Sequence, residues 1–197
     1  MHRMIQSIKS GPRPFRFTRD QYYSAAELGF FNERRVQLIE GEIIEMSPQG
    51  SPHAKTIEFV DDALRAAFGS GYRFRVQSPL SLGLDSEPEP DVSVVRGSAR
   101  EAPDGHPETA VLVVEIADSS LILDTGRKAA LYARAGISEY WIVNLVDARL
   151  DVYRNPTVDA RFEFGAVYAE IRGFSADASV TPLAAPAASI RVSDLLP

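Results

Sequence analysis

Ala110-Val111-Leu112-Val113-Val114-Glu115-Ile116-Ala117 decides the fold, read with Glu89-Pro90-Asp91 before it and residues 124–136 after it. An aliphatic, β-branched run of this length reads as a strand covered on both faces. An ionised carboxylate in the middle of such a strand is costly unless it is paired or holds a metal. Asp91 opens a second short apolar strand with Val92, Val94 and Val95. Two carboxylates that meet on neighbouring strands beside a lysine make a site for a hard divalent cation.

Downstream, Asp124 reads as the N-cap of a helix whose stripe is Lys128, Leu131, Tyr132 and Ala135, and Gly136 ends it. Residues 139–146 read as a core strand containing the only tryptophan, Trp141, and residues 150–153 and 162–168 extend an antiparallel sheet. The Ala/Pro-rich stretch 176–189 reads as an extended surface connection to a last strand at 190–192 and a terminal turn.

Upstream, Ile57, Val60, Leu64, Ala67 and Phe68 recur at helical spacing over 51–68, and the break at Gly69-Ser70-Gly71 closes that amphipathic helix. Tyr72, Phe74 and Val76 alternate with Arg73, Arg75 and Gln77, so the next strand has one buried and one polar face. Taken alone, the arginine face reads as solvated rather than phosphate-binding. A second short strand is expected near 80–84, and a polar loop over 96–109. Thr18 and Gln21 form a capping box for a short helix ended by Gly29. Strands at 36–39 and 43–46 form a hairpin about Glu40-Gly41. Residues 1–17, with Arg3, Lys9, Arg13 and Arg16 among Gly and Pro, read as a flexible arm, and 18–197 as a single domain. Helices before and between the central strands, with several strands trailing, indicate an α+β fold with a mixed central sheet.

A net charge of −6 over 197 residues counts against coating nucleic acid by bulk electrostatics. It leaves room for a local basic patch, or for metal ions that offset acidic residues. The absence of cysteine removes disulfides, thiol nucleophiles and cysteine-bound zinc, and fits a cytoplasmic protein. The opening residues hold no continuous apolar segment, so no membrane anchor is expected. The sequence has no Gly-x-Ser-x-Gly elbow, phosphate loop or His-Glu-x-x-His, and Gly69-x-Gly71 lacks the third glycine of a dinucleotide site. A carboxylate pair also fits a glycosidase, but no sugar cleft is recognisable and the lysine is left without a role.

Several stretches taken in order carry a resemblance. They are Leu38-Ile39-Glu40-Gly41-Glu42, Met46-Ser47-Pro48 with His53, Pro90-Asp91-Val92, and Val113-Val114-Glu115-Ile116. Asp124 through Lys128 into Leu131-Tyr132-Ala133-Arg134-Ala135-Gly136-Ile137 follows, and then Glu139-Tyr140-Trp141. In this order the chain resembles the PD-(D/E)XK restriction endonuclease-like superfamily, and more specifically its Uma-type branch. The resemblance implies metal-dependent hydrolysis of DNA phosphodiester bonds with Mg²⁺ or Mn²⁺. It implies Asp91 and Glu115 as metal ligands, together with the carbonyl of Ile116. Glu42 and His53 would be supporting groups, and a homodimer is expected because double-strand cutters pair two sites.

Two departures matter. The parent pattern places its lysine two residues after the acid, on the same strand face, and here that position is Ala117. The Uma-type branch resembles a variant in which the following helix supplies the lysine, which points to Lys128, the only lysine after Lys55. The family commonly has a glutamate where this chain has Gln37, which removes a negative charge. For Glu40, ordinary hairpin-turn chemistry is the preferred reading. For His53, a packing role at the helix start stands beside the site role. The alternative for the whole chain is a nuclease-fold binding or scaffold module without turnover.

Overall fold

The computed structural model describes residues 12–197, so Arg3 and Lys9 of the expected arm lie outside the described residues. Helix α1 (Arg19–Glu27) carries the expected capping box. The Thr18 hydroxyl accepts from the Gln21 amide, and the Gln21 side chain accepts from the Thr18 amide. Strands β1 (Val36–Ile39) and β2 (Glu42–Glu45) pair antiparallel across Glu40 and Gly41, both at positive φ. Gly41 is required there for a second reason, since a Cβ would fall 2.6 Å from the Cβ of Arg16.

The main sheet has six strands in the order β3-β4-β5-β6-β7-β8. These are β3 (Tyr72–Val76), β4 (Val92–Arg96), β5 (Leu112–Ala117), β6 (Glu139–Asn144), β7 (Arg149–Val158) and β8 (Ala166–Ser175). Strands β5 and β6 run parallel and every other neighbour pair is antiparallel. The mixed α+β architecture read from the sequence is therefore the observed one. Each face of β5 is covered, which explains a strand without polar alternation. On one face α2 (Ser51–Phe68) lays Ile57, Val60, Leu64 and Phe68 on Val92, Leu112, Val114, Ile116 and Trp141. On the other, Leu131, Tyr132 and Ile137 pack with Val113, Tyr140, Ile142 and Tyr153. No helix among the described residues is long and apolar enough to cross a membrane.

Four local expectations are corrected. Residues 80–84 form no strand. Leu80 and Leu82 are buried, but their amides bond the carbonyls of Pro88 and Ser86 in a fold-back, and the nearby prolines lack the N–H groups that a ladder needs. Phe162 precedes β8, which begins at Ala166. Within 176–189, β9 (Ser179–Val180) is a strand, and it pairs with β10 (Ile190–Arg191). Asp124 is not an N-cap. A turn of α3 (Leu121–Leu123) precedes it, and Asp124–Lys128 form a π-turn that runs directly into α4 (Ala129–Arg134). Such single wide turns are frequent at functional sites.

Glu139 is fully buried on β6. Oε1 accepts from Trp141 Nε1 at 3.0 Å and from Arg154 at 2.6 Å, and Oε2 accepts from the Leu183 amide at 2.7 Å. This ties β6, β7 and the 181–183 segment together. Replacing Arg154 by Ala strands the buried carboxylate, and urea denaturation should show a loss of about 3 kcal/mol.

Candidate active site

The β4–β5 register pairs Val92 with Val114 and Ser93 with Val113, so one step further Asp91 falls opposite Glu115, on the same face. There the ladder ends, and the Ile116 amide donates instead to Asp91 Oδ2 at 2.8 Å. The other carboxylate oxygen, Oδ1, lies 3.0 Å from His53 Nε2. His53 sits in the first turn of α2, so its position brings it to the site rather than into the core. Asp91 is thus fixed at both oxygens by groups from two other elements.

Glu115 is 2% exposed. Its Oε1 accepts from Tyr132 Oη at 2.7 Å and lies 3.0 Å from Lys128 Nζ. Lys128 Nζ also lies 3.2 Å from Asp124 Oδ1, a contact of charge with charge rather than a directed hydrogen bond. Asp124 is 1% exposed; its Oδ2 accepts from Ser120 Oγ at 2.5 Å, and its carbonyl accepts from Tyr140 Oη at 3.0 Å. The lysine therefore comes from the helix, as expected in the absence of a strand lysine. Positions 124, 128 and 132 are four apart, the spacing that brings side chains together on a helix. That spacing is the signal in the chain that joins Asp124 and Tyr132 to the lysine, beyond a cap and one member of a stripe.

Burial pushes the Glu115 carboxyl up to about 8; the Lys128 ammonium opposes this, and Asp124 and Asp91 add to it. For Lys128, the surrounding carboxylates outweigh burial and hold the ammonium firmly protonated. Burial first, then the Glu115 charge, raises the Tyr132 hydroxyl well above its ordinary value. It stays a donor.

These groups open onto a cavity of about 270 Å³ lined by Gln37, His53, Asp91, Glu115, Asp118 and Lys128 among others. Gln37 is buried, and its Oε1 accepts from the Glu89 amide at 3.3 Å, an amide role in place of a charge. Glu42 is not among the lining residues. It pairs with Arg16 at 2.5 Å and with Arg127 at 2.6 Å, which pins the hairpin tip to the π-turn. Glu42 is thus placed beside the cavity's hairpin wall by two arginines and is not brought together with Asp91, Glu115 and Lys128. Glu40 likewise pairs with Arg134, in keeping with its hairpin reading. Ile116 gives its amide to Asp91 while its side chain packs under α2.

The lining carries five carboxylates, Glu45, Glu89, Asp91, Glu115 and Asp118, against Arg35 and Lys128. Asp91 and Glu115 are buried, Glu89 is half-buried and paired with Arg35, and Glu45 and Asp118 are exposed; carboxylate oxygens are the hard donors that a divalent cation takes. Among the described residues, no three His, Cys, Asp or Glu side chains form a metal-ligating cluster. Asp91 and Glu115 are the buried carboxylate donors of the lining, and a cation that keeps most of its water, such as Mg²⁺, needs no more than one or two protein carboxylates.

A mixed sheet with two strand-borne acids and a lysine at one cavity is the nuclease-like class of site. The chain matches the family model described as Uma2, putative restriction endonuclease, over residues 19–187, and it belongs to that family. Its fold is that of a putative nuclease belonging to DUF820 from Anabaena variabilis ATCC 29413. The two share 16% identity with a TM-score of 0.68, over 91% of this chain and 97% of that one. No curated protein matches the sequence.

Two outcomes test the site as a folded unit. Tyr132→Phe removes one donor from a buried carboxylate and should cost about 2 kcal/mol in chemical denaturation. Burial pushes the Glu115 carboxyl up from its ordinary 4.5 to about 8 in the fold. Its contribution is complete below the lower value and is lost as pH rises through the upper one. In chelator, the melting temperature should fall between pH 5 and pH 8, and Glu115→Gln should flatten that slope.

Proposed function

We propose that the chain is a metal-dependent endodeoxyribonuclease that hydrolyses DNA phosphodiester bonds. The observation that carries this reading is the Lys128 ammonium, delivered from the π-turn to within 3.0 Å of Glu115, across one cavity from Asp91. Asp91 and Glu115 would hold the ion, with the Ile116 carbonyl as a third oxygen. Bound there, Mg²⁺ or Mn²⁺ supplies a water of lowered pKa and offsets charge on the phosphodiester.

The protein's own contributions follow from its contacts. The Ile116 amide and His53 fix the direction of Asp91, and the Tyr132 hydroxyl fixes Glu115. Lys128 stays protonated between Glu115 and Asp124, so it serves as a hydrogen-bond donor that orients the attacking water or stabilises the oxyanion developing on the phosphoryl group. Hydrolysis adds the oxygen of water to phosphorus and releases the sugar oxygen as an alcohol. A double-strand cut by one site per chain calls for two copies, so a homodimer belongs to the same proposal.

One observation favours a second reading, a nuclease-fold binding or scaffold module without turnover. At the position where the family commonly has glutamate, Gln37 brings no charge and its carbonyl oxygen is engaged by the backbone. Plasmid DNA incubated with the purified chain separates the two. Cleavage should appear with Mg²⁺ or Mn²⁺ and vanish in chelator, and Asp91→Asn or Lys128→Gln should lower the rate at least about 100-fold when assayed below each variant's own melting temperature, which falls for Lys128→Gln because the Glu115 counter-charge is lost. Intact plasmid under every metal condition, with no metal-dependent shift in melting temperature, would leave the binding module as the reading.

A further inference from the structure

The arginines of β3 are arranged unlike most of the others. Arg34, Arg35, Arg65, Arg134, Arg149 and Arg154 each stand within ion-pair distance of a carboxylate. Among the described residues, Arg73 and Arg75 have no such carboxylate. Both are half-buried, and the Nε of each is buried without a hydrogen-bond partner. Arg75 reaches the Pro79 carbonyl at 3.1 Å and His106 Nδ1 at 3.2 Å, neither of which offsets its charge. Burial and the charge of Arg73 both press the Arg75 guanidinium toward deprotonation. In a chain of net charge −6, two neighbouring guanidinium groups without a counter-charge are an unusual local surplus.

Their placement supplies the direction. β3 is one of the two edge strands of the sheet, and its register pairs Arg73 with Val95 and Arg75 with Ser93. Two steps on, the Gln77 amide bonds the Asp91 carbonyl, and Gln77 lines the cavity. Partners across an antiparallel pair share a face, so both arginines stand on the face that carries Asp91 and Glu115. They lead away from the cavity along β3 in steps of roughly 7 Å, the rise of two strand residues. Tyr72 and Phe74, which alternate with them, take the opposite face and meet Phe68 of α2.

We propose that Arg73 and Arg75 form a track for the backbone phosphates of duplex DNA flanking the bond to be cut. The proposal rests on the nuclease reading above and names the surface by which that site takes its substrate. A guanidinium offers a planar fork of donors that matches phosphate oxygens. The contact is independent of base sequence and governs register on the duplex.

The test is fluorescence anisotropy with a labelled mixed-sequence duplex, wild-type chain and chelator, at a series of salt concentrations. Each phosphate contact contributes about 0.9 to the slope of log affinity against log salt, so Arg73→Gln/Arg75→Gln should lower that slope by roughly 2. The doubly charge-retaining variant Arg73→Lys/Arg75→Lys should keep most of it. Arg161→Gln, at an exposed arginine paired with Asp159 outside the track, should leave it unchanged. Each single Arg→Gln variant, with its melting temperature measured alongside, guards against a fold defect in the double variant. An unchanged slope in the double variant, an equal fall with Arg161→Gln, or no binding by the wild type overturns the track. Metal-dependent plasmid cleavage with an unchanged slope would overturn the track alone. A slope that falls as expected, without cleavage under any metal condition, would sustain the track and overturn the hydrolase.

Discussion

A carboxylate in the middle of the central strand is the constraint that shapes this protein. Glu115 is enclosed by strands on both sides and by helical layers on both faces, where an unpaired charge is not tolerated. Its compensation comes from one segment, the turn and helix that follow β5, through Lys128 and Tyr132. That segment must therefore dock at one depth and one rotation. The π-turn at Asp124–Lys128 is where the helix meets this demand, with both of its end residues buried and Asp124 holding the far side of the ammonium.

The remaining acid is placed by register. Where the β4–β5 ladder runs out, Asp91 takes over an amide of β5, so the cavity-lining carboxylate also finishes the sheet. Proline on each side of Glu89 removes the N–H groups that would have let the ladder continue. His53, from the start of α2 on the opposite layer, then closes the group, so the cavity draws on both faces of the sheet. Other buried acids show the contrast. Glu139 is satisfied at both oxygens by arginine, indole and backbone donors and lies outside the cavity lining, which marks it as structural.

Much of this was legible in the chain. The capping box at Thr18, the two-residue hairpin turn, the helix over 51–68 and the long apolar strand depend on neighbours close in sequence, and their periodicity survives in the fold. Asp91, Glu115 and Lys128 were legible too, because an acid inside a β-branched run and an isolated lysine stand out against their surroundings. For Glu42 the chain is silent, because the acid-Gly-Glu turn looks alike whether it faces a cavity or two arginines. Arg16 and Arg127, far apart in sequence, decide which. The fold-back at 80–84 and the β9–β10 pair escaped for a related reason, since each depends on distant partners or on amides that proline leaves unmatched.

By itself, the sequence determined the α+β class, the covered central strand and the three residue types that meet at the site, because these follow from side-chain pattern and from the cost of a buried charge. Only the tertiary structure decided that His53 completes Asp91, that Asp124 and Tyr132 complete the lysine–glutamate pair, and that Glu42 pairs with Arg16 and Arg127. Those assignments depend on which oxygen faces which donor across strands and helices far apart in the chain, and no local spacing encodes that geometry.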